Sequence, residues 1–200
     1  MKTYVVEHLD PELEQWSALE YKAIAQESYN AGAQFFLSSV PESLQLPKTL
    51  KDAQGLRVEH QSVETLYADK KGTVCLLDPA AKTELSPEDG ERFDVFLFGG
   101  ILEFTDRTAE LRKKGFEGRR LGPIQMTTDT AVRVTRMVVQ NKMSLERIPY
   151  VDHPELKINK NESTEMPFRY VKDAHGNPIM PNGMTDLIKK DSEKALDDLF

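Results

Sequence analysis

Apolar positions along the chain recur with two periods, and the two alternate through its first two thirds. Tyr4, Val5 and Val6 favour extended backbone and predict a short strand over Thr3 to Glu7. Asp10-Pro11 then offers a cap followed by a first-turn proline. Leu13, Trp16, Leu19, Ala23 and Ile24 follow at helical spacing, predicting a helix through about residue 29, broken by Gly32. Gln34 to Leu37 reads as a second strand ending at Pro41, Pro47 to Gln54 as a short helix stopped by Gly55, and Leu56 to Glu59 as a third strand. Thr73 to Leu77 is a buried strand ending in Asp78-Pro79, and Phe93 to Phe98 is another ending in Gly99-Gly100. Thr127 or Thr128 caps a long helix whose Ala131, Val134 and Val138 share a face. Strands separated by helical segments predict an α/β protein with a mostly parallel sheet flanked by helices.

The pattern changes after about residue 152. From Asp152 to Phe200 the chain holds four of its eleven prolines and little sustained periodicity. Asn161 to Tyr170 is polar and reads as irregular, and Asp173 to Pro178 reads as a turn. A closing helix near Met184 to Leu199 presents Leu187, Ile188, Leu196 and Leu199. The expected organisation is one α/β domain over residues 1–152 and an irregular extension, 153–200, packed on it.

Composition narrows the function classes. Lys and Arg total 26 against 33 Asp and Glu, a net charge of −7. That balance disfavours direct nucleic-acid binding and points to a basic or neutral partner. No apolar run reaches the roughly 18 residues of a membrane helix, so no membrane partner is expected. Met1 to His8 meets an acid at Glu7 and does not read as a signal peptide, which places the expected location in the cytoplasm. The one cysteine, Cys75, lies inside an apolar strand and reads as core. His8, His60, His153 and His175 show no metal-ligand spacing, so no metal is expected.

In parallel sheets, ligands gather beyond the carboxyl ends of the strands, here Glu7-His8, Asp78-Pro79 and Gly99-Gly100. No Gly-x-Gly-x-x-Gly turn follows the first strand and no phosphate loop occurs, which disfavours an ordinary dinucleotide or triphosphate site. The glycine pair either lets backbone approach a ligand closely or makes a tight turn. Arg119 to Ala131 is more unusual, joining a Gly-Pro turn to Thr127, Thr128 and Thr130 at a helix start. Exposed N–H groups there can hold a polar ligand group, whereas a merely capped helix needs one threonine.

Phe98-Gly99-Gly100-Ile101-Leu102, followed by Leu121-Gly122-Pro123 and Thr127-Thr128-Asp129-Thr130-Ala131, resembles the SPOUT methyltransferases. Tyr4 to His8, Val74 to Pro79, Gln125 to Ala131, Asn159 to Glu162 and Glu165 to Tyr170 are similar to the fungal protein-arginine branch of that family. The likeness runs through Asp186 to Ser192, so it covers nearly the whole chain. It implies a trefoil knot in the C-terminal half and S-adenosylmethionine as cofactor. It implies cofactor contacts from Leu77, Asp78 and Pro79, from Phe98, Gly99, Gly100, Ile101 and Leu102, and from Arg120, Leu121, Gly122, Gln125, Met126, Thr127, Thr128, Thr130 and Ala131. The substrate it implies is an arginine of a small-subunit ribosomal protein, the KH-domain protein at the channel by which mRNA enters; the alternatives are a SPOUT RNA methyltransferase and a non-catalytic ribosome-associated binding protein of the same fold. This chain departs from the family in one place: Glu103-Phe104-Thr105 joins Leu102 to Asp106-Arg107-Thr108 where relatives have a longer, proline-containing loop.

Transfer of a methyl group to arginine sets its own demands. The guanidinium is a planar cation with a pKa of about 12.5–13.8 and a poor nucleophile. Carboxylates must orient it and localise a lone pair. Glu7 is the first candidate, with His8 beside it, and Asp78, Asp106, Asp129, Glu162 and Glu165 follow. Asp129 reads equally as a first-turn acid facing the helix dipole, and Glu165 as part of a solvated face. SPOUT proteins commonly pair, but an extension after Asp152 that covers the pairing face favours a monomer over a homodimer.

Overall fold

The computed structural model describes residues 1–99 and 107–198. Its elements run β1 (Thr3–Glu7), α1 (Gln15–Asn30), β2 (Gln34–Ser38), α2 (Lys48–Lys51), β3 (Leu56–Val58), α3 (Val63–Leu66), β4 (Val74–Leu77), α4 (Asp89–Arg92) and β5 (Val95–Phe98). There follow α5 (Arg107–Lys113), β6 (Glu117–Arg119), α6 (Thr128–Val139), β7 (Tyr150–Asp152), β8 (Glu155–Lys157), β9 (Ser163–Glu165), β10 (Arg169–Val171) and α7 (Met184–Asp197). Six strands form one parallel sheet in the order β3-β2-β1-β5-β4-β6, with Val5 of β1 level with Phe36 and Leu97.

Alternation along each strand divides the core between the two faces. Tyr4, Val6, Phe35, Leu37, Phe96 and Phe98 pack with Tyr21 and Ile24 of α1 and Val134 and Val138 of α6. Val5, Phe36, Leu76 and Leu97 pack on the other side with Val63, Leu111 and Phe116. Burial on both faces is why these strands read as unbroken apolar runs. Cys75 is fully buried in this core, and burial pushes its thiol up to about 12. Among the described residues no helix is long and apolar enough to cross a membrane.

Two expectations are corrected. The first helix begins at Gln15, not at Asp10-Pro11, which lies in a bend. The His8 N–H bonds the Ser38 carbonyl, and its ring Nε2 donates to the Glu12 carbonyl at 3.0 Å. These tertiary bonds hold the segment out of helix and override its local cap. The stretch from Asn161 to Tyr170 is not irregular, since it contains β9, paired with β8, and β10, paired with β7. Strands of three residues are too short to show a period of two. In the extension Met166, Tyr170, Met184 and Ile188 form a third cluster that packs on Trp16 and Leu19 of α1. Trp16 therefore serves the core, as its place in the stripe predicts. The closing helix ends at Asp197, and Leu199 lies outside the described residues.

Candidate active site at the carboxyl edge of the sheet

Strands β5, β4 and β6 are neighbours, so the segments that follow them meet at one edge. After β4, the Asp78 N–H donates to the Arg119 carbonyl at 2.8 Å and ties the ends of β4 and β6 together. Its carboxylate accepts from the Ala80 N–H at 2.9 Å and from two nitrogens of Arg112, each at 2.6 Å. Burial pushes this carboxyl up, but Arg112 and the Ala80 amide more than offset it and hold it below its ordinary value. Leu77 is buried beside it and Pro79 is exposed. After β5, Phe98 and Gly99 are buried. Gly100, Ile101, Leu102 and Asp106 lie outside the described residues.

After β6 the chain makes the Gly-Pro turn. Arg119 points inward, its Nε bonded to Asp89 at 3.1 Å and its Nη1 to Glu117 at 3.0 Å. Arg120 zips its backbone to Thr83 and Leu85, while its side chain reaches Glu84 at 3.4 Å. Gly122 has φ of +95°, a conformation that side chains disfavour. Leu121 and Ile124 are half-buried, Met126 is buried, and the carbonyl of the exposed Gln125 accepts from the Arg169 N–H at 2.8 Å. Among the described residues nothing accepts from the N–H groups of Leu121, Gly122, Ile124 or Gln125. Arg169 clamps Asp152 at 2.6 and 2.9 Å above the Tyr150 ring, so the extension braces this loop.

The start of α6 is built differently from its expected threonine cap. Thr127 occupies the cap position, yet its hydroxyl bonds Asp129 Oδ1 at 2.8 Å and Thr130 Oγ1 at 2.7 Å. The cap comes from α1 instead, where Glu20 Oε2 accepts the Asp129 N–H at 2.9 Å. Thr127, Thr128, Asp129 and Thr130 are buried and Ala131 is half-buried. Glu20 is the residue at this helix start that sequence reasoning missed. Its signal is present in the sequence, because Trp16, Glu20 and Ile24 share one helical stripe and an acid does not belong there without a partner.

The expectation that Glu7 and His8 face a substrate is corrected. Glu7 is 1% exposed and accepts from Ser38 Oγ at 2.6 Å, from Ser39 Oγ, and from the Val63 N–H at 2.9 Å. It joins β1, β2 and the start of α3. His8 is buried, with Nδ1 taking the Tyr21 hydroxyl at 3.0 Å. Alanine at Glu7 strands two hydroxyls and an amide, and is expected to cost about 3 kcal/mol. Urea unfolding measures this, and a loss under about 1 kcal/mol would mean those donors do not depend on the carboxylate.

The described candidate acids thus do not line one slot. Asp78 is held by Arg112, Asp129 by Glu20 and Thr127, and Glu7 by its serines. Glu165 is exposed on β9 opposite Glu155, and its carboxylate bonds no described residue. A groove of about 410 Å³ lined by Met1, Tyr29, Phe36, Leu56 and Arg57 lies at the other end of the strands, away from these loops.

Comparison with known proteins agrees with this architecture. The family model described as "Protein arginine N-methyltransferase SFM1-like" matches residues 3–195. The protein arginine N-methyltransferase SFM1 of Saccharomyces cerevisiae is 46% identical over 98% of this chain and 99% of its own length. A crystal structure of yeast SFM1 complexed with SAM superposes with a TM-score of 0.85 at 44% identity, covering 96% of this chain and 92% of that one. The dual specific Trm10 of Thermococcus kodakaraensis matches at a TM-score of 0.52 and 15% identity over 73% of this chain and 96% of its own, which shows the fold alone.

Proposed function

Because the chain belongs to the SFM1-like family of protein arginine N-methyltransferases, we propose that it transfers a methyl group from S-adenosylmethionine to an arginine side chain of a protein. The observation that carries this reading is the 121–125 loop, where a left-handed Gly122 and four N–H groups without a described acceptor stand among apolar walls. Such a loop fits an adenosine, whose base needs apolar cover and backbone donors and acceptors. Leu77, Phe98, Leu121, Ile124 and Met126 supply the walls, with Asp78, Pro79, Gly99, Arg120, Gln125 and the first turn of α6 around them. Gly100, Ile101 and Leu102 belong to the same set by sequence.

The bound cofactor supplies an electrophilic methyl group on a sulfonium. The protein must hold the guanidinium in line and take its proton. Glu7, His8 and Asp129 are engaged inside the fold, where they position the strand ends and α6. The orienting role therefore falls to Asp106 and to the exposed Glu165. D106N and E165Q are each expected to lower kcat about 100-fold with little change in cofactor affinity. Unaltered kcat in both would remove that role.

We extend the reading to a trefoil knot formed by residues up to 152, to an extension over 153–200 that braces it, and to a monomer. The packing of Tyr170, Met184 and Ile188 over Trp16 and Leu19 supports the last, since it covers the outer face of α1. The substrate would be the small-subunit ribosomal protein with a KH domain, encountered in the cytoplasm, and the net charge of −7 suits an arginine-rich segment. Incubation with cofactor carrying a labelled methyl group, purified ribosomal proteins and ribosomal RNA tests this. Label is expected in an arginine of one protein. Label in RNA alone overturns the reading.

A further inference from the structure

Between α1, α6 and β10 lies a group of buried ionisable side chains that the proposed transfer leaves without a role. Glu20 is 5% exposed and Asp129 is 2% exposed. The Asp129 N–H donates to Glu20 Oε2 at 2.9 Å, and the two carboxyl groups stand within hydrogen-bonding reach of each other. On α1, Trp16 stands close enough to Glu20 to favour its charged form, against the larger effect of burial. On α6, Thr127 donates to Asp129 Oδ1, and Arg133 stands 3.6 Å from Oδ2 while giving its shorter bonds to Glu27. Arg136 is likewise engaged by Glu27. From β10, Tyr170, 2% exposed, lies near enough to feel the charge of both acids, and among the described residues neither its hydroxyl nor Asp129 Oδ2 has a hydrogen-bond partner.

Two adjacent carboxylates in a desolvated site cannot both ionise when the cation nearest them is spent on a third acid. We propose that Glu20 is a positioning residue that acts as the neutral acid: it accepts the Asp129 N–H, donates its own proton to Asp129 Oδ2, and so clasps the first turn of α6 at two points. The clasp holds the 121–127 loop in the form that takes the cofactor. This rests on the assignment of that loop to S-adenosylmethionine. Burial, and then the charge of Asp129, keeps the Glu20 carboxyl well above its ordinary 4.5. Because the folded-state value is raised, the stabilisation is complete below 4.5 and is lost as pH rises through the folded-state value. Loss of that proton places two negative charges against each other at the helix start and opens the clasp. Tyr170 faces the same pair, so the extension senses its charge state.

Wild type, E20Q and E20A separate the possibilities. The amide of glutamine reproduces both the donor and the acceptor of a neutral acid but does not titrate. Thermal midpoint is measured across pH without ligand, and S-adenosylhomocysteine affinity is measured by calorimetry across the same range. The wild-type midpoint and affinity are expected to fall as pH rises, and those of E20Q to stay level. E20A should bind about tenfold more weakly at neutral pH, and E20Q should rescue it to about twofold of wild type. Infrared spectra should show a protonated carboxyl carbonyl in wild type that E20Q removes. The proposal is overturned if E20Q binds as weakly as E20A, if E20Q titrates like wild type, if E20Q fails to fold, or if that carbonyl band is absent. Should no variant bind S-adenosylhomocysteine, the loop assignment fails, while the ligand-free midpoints and the spectra still decide the clasp.

Discussion

E27A is expected to destabilise the fold by about 3–5 kcal/mol, a larger loss than any other substitution proposed above, and to lower the thermal midpoint by about 10 °C. Glu27 of α1 receives Arg133 Nε at 3.1 and 3.2 Å and Arg136 Nη2 at 2.9 Å, both from α6. The Arg133 side chain is 5% exposed and that of Arg136 is 14% exposed. Removal of their shared carboxylate leaves two desolvated cations facing each other across the α1–α6 joint. Burial pushes the Glu27 carboxyl up, but the two guanidiniums more than offset it, so its folded-state value is depressed. Its stabilisation is therefore present above 4.5 and lost as pH falls below, the opposite sense to Glu20. R133A added to E27A should cost little more, because the stranded charge leaves with it. Chemical denaturation measures both, and an E27A loss below about 1 kcal/mol would show that water replaces the carboxylate at no penalty.

The second large effect falls on ligand affinity instead of stability. G122V forces a β-branched residue into φ of +95°, where strain of about 1–3 kcal/mol is the rule. A Cβ there would meet only Arg169 Nη1 at 4.0 Å, so room is not the obstacle and the backbone must move. The loop lies at the surface and can yield, carrying its open N–H groups out of line. S-adenosylhomocysteine should then bind about tenfold or more weakly by calorimetry. G183A supplies the control. Its φ of +85° stores similar strain, but in the extension against Leu19, so it should lower stability and spare affinity. Equal affinities for wild type and G122V would remove this loop from the cofactor site.

The two halves of the site differ in how far residue order reveals them. The Gly-Pro turn at Gly122 and the loop ends at Asp78 and Gly99 are visible as local chemistry, because turn residues carry their backbone preference wherever they stand. β1, β2, β4 and β5 are visible because strands buried on both faces carry apolar side chains throughout. β6 is not, since Glu117-Gly118-Arg119 has no apolar signal and forms the sheet edge. The threonine run stands out as unusual, but its cap cannot be placed from nearby residues, since the acceptor lies on α1, 109 positions away in the chain. Glu7 misleads in the opposite way. A strand-end acid looks available until Ser38, Ser39 and α3 close around it.

Residue order alone therefore determined the parallel α/β scaffold, the sheet edge that carries the candidate site, and the glycine turn that shapes it. Periodicity and turn preference act between near neighbours, and these features need nothing more. Which carboxylates remain open to a substrate was decided only when the chain closed. Arg112 reaching Asp78, Glu20 reaching Asp129 and Arg133 reaching Glu27 each join separate elements. The desolvation that sets their charge states does not exist until those elements pack.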